Sequence, residues 1–483
     1  MERPLKNFAW KGMSGVGGYG DENYQTFYKF TLDDYVFIAT PPGVKHMNFT
    51  FRVTGLQPGN KLTLAFFGTT NTVYGTWDKD GIYTVDADIV EAGKPTYFYN
   101  GYGATRGEFT IEILPLYPGF ILGDGVDDFA VTEKELNFED TYTVYTAFIP
   151  FQNNPTRNMI LCGADSKKTF SMQYSSLVYV SFMAGNNYYI TADFVNGLNL
   201  FACKRNGNNI CIKNLLTNKV VTGTCGDWVE NAGLYYLWKN ATYASFAKAA
   251  IAGQTICNGY FSTDEDDEKV LNWYKKQYPW LFPDQAWTVT GKTNEDEDRA
   301  TIANITGNGN DLVLSNFGFI EGSGYNKEGE YAGYLVTDGV DDEVRSAAFT
   351  LNEDWTIVGN WEFITNENKN AGLTKVYSFY LYNRDYGIFV YEYLNAGQGF
   401  SVEDVKSLKA ICSDGRIYLN DWQEIRNNIE QEATISKGVM AIGYFNRDFT
   451  KMAFKNLGIY NNQLLSKDDC IKAYNYLQTL KAK

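Results

Sequence analysis

The chain has 483 residues, room for about three domains at roughly 150 residues each. Aromatics make up 16% of it and charged residues only 20%, with 45 glycines and 11 prolines, which excludes a disordered chain, a Pro-rich linker and a collagen-like shaft. Its 42 Lys+Arg against 57 Asp+Glu leave a net charge of −15 with no basic block, so nucleic acid is not expected as a partner.

The first residues, Met1 to Phe8, carry no apolar run of signal-peptide length, and no window approaches 18 apolar residues. The expectation is a chain made without an export signal and with no membrane insertion. Gly15-Val16-Gly17-Gly18-Tyr19-Gly20 matches the dinucleotide fingerprint letter for letter. No strand precedes it and no helix follows, so it reads as a flexible Gly-rich arm and no cofactor is expected. The single histidine, His46, stands just before the alternating run Phe49-Thr50-Phe51-Arg52-Val53 and reads as a strand-edge residue. A Ser-His-Asp triad or a multi-histidine metal site would have to rest on this one imidazole, and no Gly-x-Ser-x-Gly elbow accompanies it.

From there the strand signal is dense. Period-two runs rich in Tyr, Phe, Val, Ile and Thr recur between Gly, Asn and Asp punctuation, as in 61–67, 108–114, 142–148 and 377–382. Many short strands spaced by turns indicate antiparallel sandwiches. Seven cysteines, an odd number over a long chain, make no disulfide framework. Cys203 and Cys211 flank the hairpin dipeptide Asn206-Gly207 and are able to face each other, but without an export signal they are expected as reduced thiols. Two segments break the strand pattern. Ser262-Thr263-Asp264-Glu265 and Ser466-Lys467-Asp468-Asp469 both resemble capping boxes and predict helices near 264–277 and 466–480. The acidic run Asp264 to Glu268 is read as complementing a helix dipole in preference to a calcium site.

An internal repeat organises the whole. Asp124-Gly125-Val126-Asp127-Asp128 recurs as Asp338-Gly339-Val340-Asp341-Asp342, an offset of 338 − 124 = 214. At the same offset Glu139-Asp140 matches Glu353-Asp354 and Val144 matches Val358; near the end Tyr260 to Asp264 aligns with Leu464 to Asp468, now offset by 464 − 260 = 204. Each copy opens with one turn and closes with one capped helix. The boundaries drawn are residues 1–118 as an unduplicated β domain, 119–280 as the first copy and 281–483 as the second.

The opening Thr306-Gly307-Asn308-Gly309-Asn310-Asp311, the run Tyr334 to Asp342 and the closing Leu457-Gly458-Ile459-Tyr460-Asn461-Asn462-Gln463-Leu464-Leu465-Ser466 resemble a laminin-G/concanavalin-A-like jelly roll. The resemblance is good over about 285–483, weaker over 119–280, and does not reach 1–118. Phe109-Thr110-Ile111-Glu112-Ile113-Leu114-Pro115 leading into Tyr117-Pro118-Gly119, and Tyr278-Pro279-Trp280-Leu281-Phe282-Pro283-Asp284-Gln285-Ala286-Trp287, resemble virion proteins of tailed phages of gut Bacteroidetes, including crAss-like phages. That resemblance implies a head or tail fibre module on a virion surface.

Beside it, the residues have their own reading. Asp-Gly in the repeated turn supports a positive φ, and its following carboxylates accept backbone N–H bonds. One turn supplies few ligands for Ca²⁺, and laminin-G-like domains that bind calcium place it in other loops, so no metal is expected. A glycosidase needs two facing carboxylates; Glu108 and Glu112 on one strand face and Glu392 between two tyrosines form no convincing pair, so no catalytic residue is assigned. Trp77, Trp228 and Trp422 near turns are able to stack on sugars or to pack, and no glycan-binding position is singled out. The expectations are therefore an all-β chain, an N-terminal sandwich followed by two jelly rolls that each close with a short helix. In function it is expected to be a non-enzymatic phage virion protein, a head fibre or capsid decoration contacting host glycans. It is expected to work as a homo-oligomer, a trimer, joined to other virion proteins through 1–118. The alternatives are a tail fibre or receptor-binding tail appendage, and a glycan-binding or glycan-cleaving cell-surface protein.

Overall fold

The computed structural model describes the continuous stretches 46–66, 72–88, 129–150, 197–228, 248–307, 309–364, 407–419 and 451–482, and elsewhere the strands named below with a few flanking residues. The Gly-rich run 15–20, Gly125 to Asp128 and Glu108 lie outside the described residues. The chain divides into two compact units, Met1–Tyr274 and Lys275–Lys483. Among the described residues strand pairing is antiparallel throughout, and the structure is all-β apart from two closing helices and a short 3-10 turn, Pro279–Leu281.

The first unit contains two sandwiches. One has a sheet of Lys29–Leu32, Phe109–Leu114, His46–Thr54 and Gly81–Asp88, and a second of Tyr35–Ile38, Thr96–Gly101, Lys61–Phe66 and Val73–Trp77. Alternate residues turn inward, so Phe51, Val53, Leu62, Leu64, Phe98 and Ile111 from both sheets share one core. The other sandwich has a six-stranded sheet, Ile121–Asp124, Lys248–Asn258, Thr141–Pro150, Asn199–Asn206, Asn209–Asn214 and Lys219–Thr224. Facing it are Phe129–Thr132, Tyr235–Leu237, Asn158–Gly163, Ser171–Ser175, Tyr179–Met183 and Tyr189–Asp193. The chain's first strand, Phe8–Lys11, pairs with Phe129–Thr132 and so extends this second sandwich, away from the strands of 29–114.

The second unit repeats the design. Gly324–Tyr325, Leu335–Val336, Met452–Asn461, Trp355–Phe363, Ser407–Cys412, Arg416–Leu419 and Glu424–Arg426 form one sheet, with Gln285–Thr288 added beside Met452–Asn461. Thr301–Ile302, Leu312–Ser315, Glu343–Leu351, Ser436–Ile442, Ala371–Val376, Phe379–Arg384 and Gly387–Glu392 form the other. Trp287, Leu312, Val344, Ile357, Trp361 and Phe454 lie in the core between them. This is the jelly-roll-like sandwich that the repeat implies, present in both copies.

Helix α1 is Asp264–Gln277 and helix α2 is Lys467–Thr479. In α2 the Ser466 hydroxyl accepts the N–H of Asp469 at 3.1 Å, the cap read from the sequence. In α1 the box sits one residue later than expected: Thr263 Oγ1 accepts the Asp266 N–H at 3.2 Å, and Asp266 accepts the Thr263 N–H at 3.0 Å. Ser262 is buried instead, its hydroxyl 3.1 Å from Asp267. Asp264 to Asp267 occupy the first turn and Lys275 and Lys276 the last, matching the helix dipole at both ends.

Hydrogen bonds fix how the copies correspond. Thr143 Oγ1 donates to the carbonyl of Tyr260 at 3.0 Å and accepts the N–H of Ser262 at 2.9 Å. Thr356 Oγ1 does the same to Gln463 and Leu465 at 2.9 and 3.0 Å. Asn258 Oδ1 takes the N–H of Glu139 while its Nδ2 donates to Asn137; Asn461 takes the N–H of Asn352 and donates to Thr350. The long first strands therefore match at 356 − 143 = 213 and the last strands at 463 − 260 = 203. The expected offsets of 214 and 204 are each one residue too long at these strands. Val144 corresponds to Ile357, both in their cores, and not to Val358. The opening turn does keep 214, since Ile121 pairs with Ile251 and Leu335 with Phe454. Both copies also carry a bulge at one place, after Ala147 and after Asn360.

Candidate functional site: an amide and tyrosine face on the second copy

The structure assigns most residues weighed in the sequence to packing. Trp422 is 1% exposed, with its ring centroid 6.1 Å from Tyr418 and 5.7 Å from Tyr474. Half-buried Trp77 packs edge-on to Phe51 at 4.8 Å. Half-buried Trp228 lies under the Arg205 guanidinium at 4.9 Å, and Arg205 itself is held by the carbonyls of Gly207 and Gly226 at 2.8 and 2.9 Å. Glu112 is paired with Arg52 at 3.2 Å across neighbouring strands. His46 begins a strand, as expected, and Glu392 ends one. Cys203 pairs in register with Ile212 and Lys204 with Cys211, so the two cysteines lie on opposite faces of their hairpin as free thiols.

The acidic turn of the second copy is a closed structure. Asp338 Oδ1 accepts the N–H of Val340 at 2.7 Å, with those of Asp341 and Asp342 at 3.3 and 3.4 Å. Buried Asp342 accepts the N–H of Asp338 at 2.7 Å and the Ser323 hydroxyl at 3.1 Å. Burial pushes the Asp342 carboxyl up to about 6, and the nearby Asp338 and Asp341 add to that. Carboxylate oxygens of Asp338, Asp341 and Asp342 lie within 4.8 Å of one another, the one such group able to hold a metal ion among the described residues. Two of the three already serve the turn's own N–H and O–H donors.

The duplication locates a different site. Beside the end of α2, the second copy carries Asn360 and Asn456, 5% and 0% exposed, and half-buried Glu362 and Lys455. The corresponding residues of the first copy are Ala147, Ile149, Ala252 and Gly253, by the register pairs Ala147 with Gly253 and Asn360 with Asn456. The first copy is apolar and buried here, with Ala147, Ile149 and Ala252 at 0%, 2% and 7% exposure. In the second copy an amide pair, a carboxylate and an ammonium occupy the same backbone positions. Asn360 Nδ2 donates to the Tyr334 hydroxyl at 2.9 Å, and Tyr331 stands at right angles to Tyr334 with centroids 6.1 Å apart. Lys455 Nζ lies 5.5 Å over the Tyr334 ring. Gln478 of α2 donates to Asn456 Oδ1 at 3.3 Å, while Asn360 Oδ1 and Asn456 Nδ2 have no partner among the described residues. Glu362 lies close enough to raise the Tyr331 hydroxyl, after the larger effect of burial, and to oppose the burial that pulls Lys409 down to about 8. Lys409 Nζ donates to Tyr474 of α2 at 2.7 Å. The result is two half-buried aromatic rings beside planar amides, a carboxylate and lysines, on one face between the 326–334 loop and α2. The half-buried rings with Glu362 and Lys455 can stack on an apolar ring face and exchange hydrogen bonds with vicinal hydroxyls, while buried Asn360 holds the Tyr334 hydroxyl; the set holds no nucleophile–base pair. The sequence reading missed it because each residue alone is an ordinary strand or loop residue.

No family model and no curated protein matches the chain. Among solved structures, the chain is similar to that described as "Cell entry of botulinum neurotoxin type C is dependent upon interaction with two ganglioside molecules", with 13% identity, 67% of this chain and 89% of that chain covered, and a TM-score of 0.30. The botulinum neurotoxin serotype C1 binding domain is similar at 11% identity over 72% of this chain and 91% of that one, TM-score 0.30. The carbohydrate binding module CBM66 from Bacillus subtilis is similar at 14% identity over 28% of this chain and 84% of that one, TM-score 0.21. Overlaps of this size do not decide what the chain binds.

Proposed function

We propose that this chain is a non-enzymatic surface protein of a tailed-phage particle, a head fibre or capsid decoration that contacts host glycans through the tyrosine and amide face of its second copy. The observation that carries the glycan part is the divergence of the copies: one scaffold, apolar at four positions in the first copy, polar beside two tyrosines in the second. Core requirements alone would keep both apolar, because a buried amide left unpaired is costly. Neutral sugars offer hydroxyls to pair with the half-buried polar side chains of this face and C–H faces to lie on its tyrosine rings. The particle assignment rests on the resemblance of 109–119 and 278–287 to phage virion proteins. Antiparallel sandwiches with exposed loops suit repeated display, and symmetric assembly as a homo-oligomer, a trimer, would multiply a weak contact.

The test has two arms. Binding of the full chain to an array of bacterial surface glycans should be lost, roughly tenfold or more in affinity, in Tyr331→Ala and Asn360→Ala, with the thermal transition little changed. Mass spectrometry of purified particles should find the chain in the virion. Binding without virion incorporation would favour the cell-surface reading; incorporation without binding would leave a purely structural decoration.

A further inference from the structure

The same correspondence exposes a second divergence, on the inner side of the closing helices. In the first copy Lys204, on the strand paired with Thr143, reaches α1: its Nζ lies 2.8 Å from Asp267 and 3.0 Å from the carbonyl of Ser262. Lys213 joins at 3.0 Å from Asp267 and 2.6 Å from Asp264, and the hydroxyls of Tyr145 and Ser262 donate to Asp267 at 2.9 and 3.1 Å. This buried ion pair ties sheet to helix. In the second copy the residue paired with Thr356 is Cys412, and the helix residue four after the cap is Cys470, where Asp267 stands four after Thr263. Thr356 Oγ1 lies 3.8 Å from Cys412 Sγ and takes the N–H of Leu465 at 3.0 Å, and the Leu465 carbonyl lies 4.0 Å from Cys470 Sγ. Cys412 and Cys470 thus flank the same Thr356 hydroxyl and Leu465 peptide, and are 1% and 0% exposed.

We propose that Cys412 and Cys470 are a redox latch, a disulfide-forming pair that fastens α2 to its sheet at the position where the first copy uses the Lys204–Asp267 ion pair. The oxidant is a small-molecule disulfide. The Cys412 thiolate attacks one sulfur of that disulfide, its S–S bond breaks, and one thiol leaves. The Cys470 thiolate then attacks the Cys412 sulfur of the mixed disulfide and the second thiol leaves. Two electrons pass from the protein thiols to the oxidant, and the two thiol protons end on the two released thiols. Cys412 is the attacking group because the neighbouring Cys470 thiol and the Arg416 guanidinium hold its thiol below the ordinary value, while Cys470 is held well above it. Burial makes the reaction wait on opening of the first turn of α2, so the latch closes slowly and, once closed, opens slowly.

The experiment treats the full chain with oxidised glutathione and maps linked peptides by mass spectrometry. The expected product joins the Cys412 peptide to the Cys470 peptide, forms faster in urea below the unfolding transition, and raises the unfolding midpoint of the second copy. In Cys470→Ser the reaction stops at a glutathione adduct on Cys412, and in Cys412→Ser no link forms. Transplanting the pair as Lys204→Cys with Asp267→Cys should create the same link in the first copy. Full reaction of the half-buried Cys211 and Cys257 with no 412–470 link, even in sub-denaturing urea, would overturn the proposal. So would a link that joins either residue to another cysteine.

Discussion

Asp267 is 2% exposed and has lysine partners on one oxygen and hydroxyl donors on the other. Removing it leaves Lys204 as a charge stranded beneath α1, a change that costs about 3–5 kcal/mol in comparable buried pairs. Asp267→Ala should therefore lower the denaturation midpoint of the first copy sharply, and adding Lys204→Met should restore much of the loss, because it removes the stranded charge. Recovery absent in the double variant would mean that the pair is not what holds the helix. Asp342 gives a pH prediction of definite sign. Its folded value near 6 is above the ordinary carboxylate value of 3.8, so the protonated form favours the fold. That contribution is complete below about pH 4 and is lost as pH rises through 6. Stability of the second copy should fall between pH 4 and 7 by this amount, and Asp342→Asn should flatten that part of the profile in a urea titration.

At the scale of elements, both helices were legible because capping chemistry is local: a hydroxyl three residues before an acid is visible without any fold. Thr263→Ala and Ser466→Ala should each cost about 1 kcal/mol, read as a shift in urea midpoint with unchanged slope. Equal loss from Ser262→Ala by way of the cap would contradict the one-residue shift; its loss should come through Asp267. The strands were legible from their alternation, and the repeat from its opening turn. Register was not. The turns between the opening motif and the first long strand change the offset by one, while the bulges after Ala147 and Asn360 fall at the same place in both copies and keep it, and an offset wrong by one exchanges the two faces of a strand. At 214, Ala147 falls on the core residue Trp361 and the contrast with Asn360 disappears. The candidate face is thus invisible in the sequence for a physical reason: it is a difference between copies, and it emerges only when hydrogen bonds set the alignment.

For the whole molecule, the proposed function assigns one part to joining a particle and another to meeting a host. The two duplicated sandwiches share a scaffold and differ at Asn360, Glu362, Lys455 and Asn456, the face that the proposal gives to a glycan. The sandwich of 29–114 has no counterpart in the chain and is the part assigned to attachment. Cutting at 118 is not a clean test, because it also removes Phe8–Lys11 and exposes the edge of Phe129–Thr132, and a bare sheet edge invites aggregation. An internal deletion of 29–114 that keeps the first strand avoids this. The remaining chain should stay soluble, unfold at the midpoints of its two copies, keep glycan binding sensitive to Tyr331→Ala, and fail to join particles assembled without the full-length protein. Normal incorporation of the deleted chain would move attachment to the duplicated sandwiches. Loss of glycan binding with both copies folded would mean that the face on the second copy does not act alone.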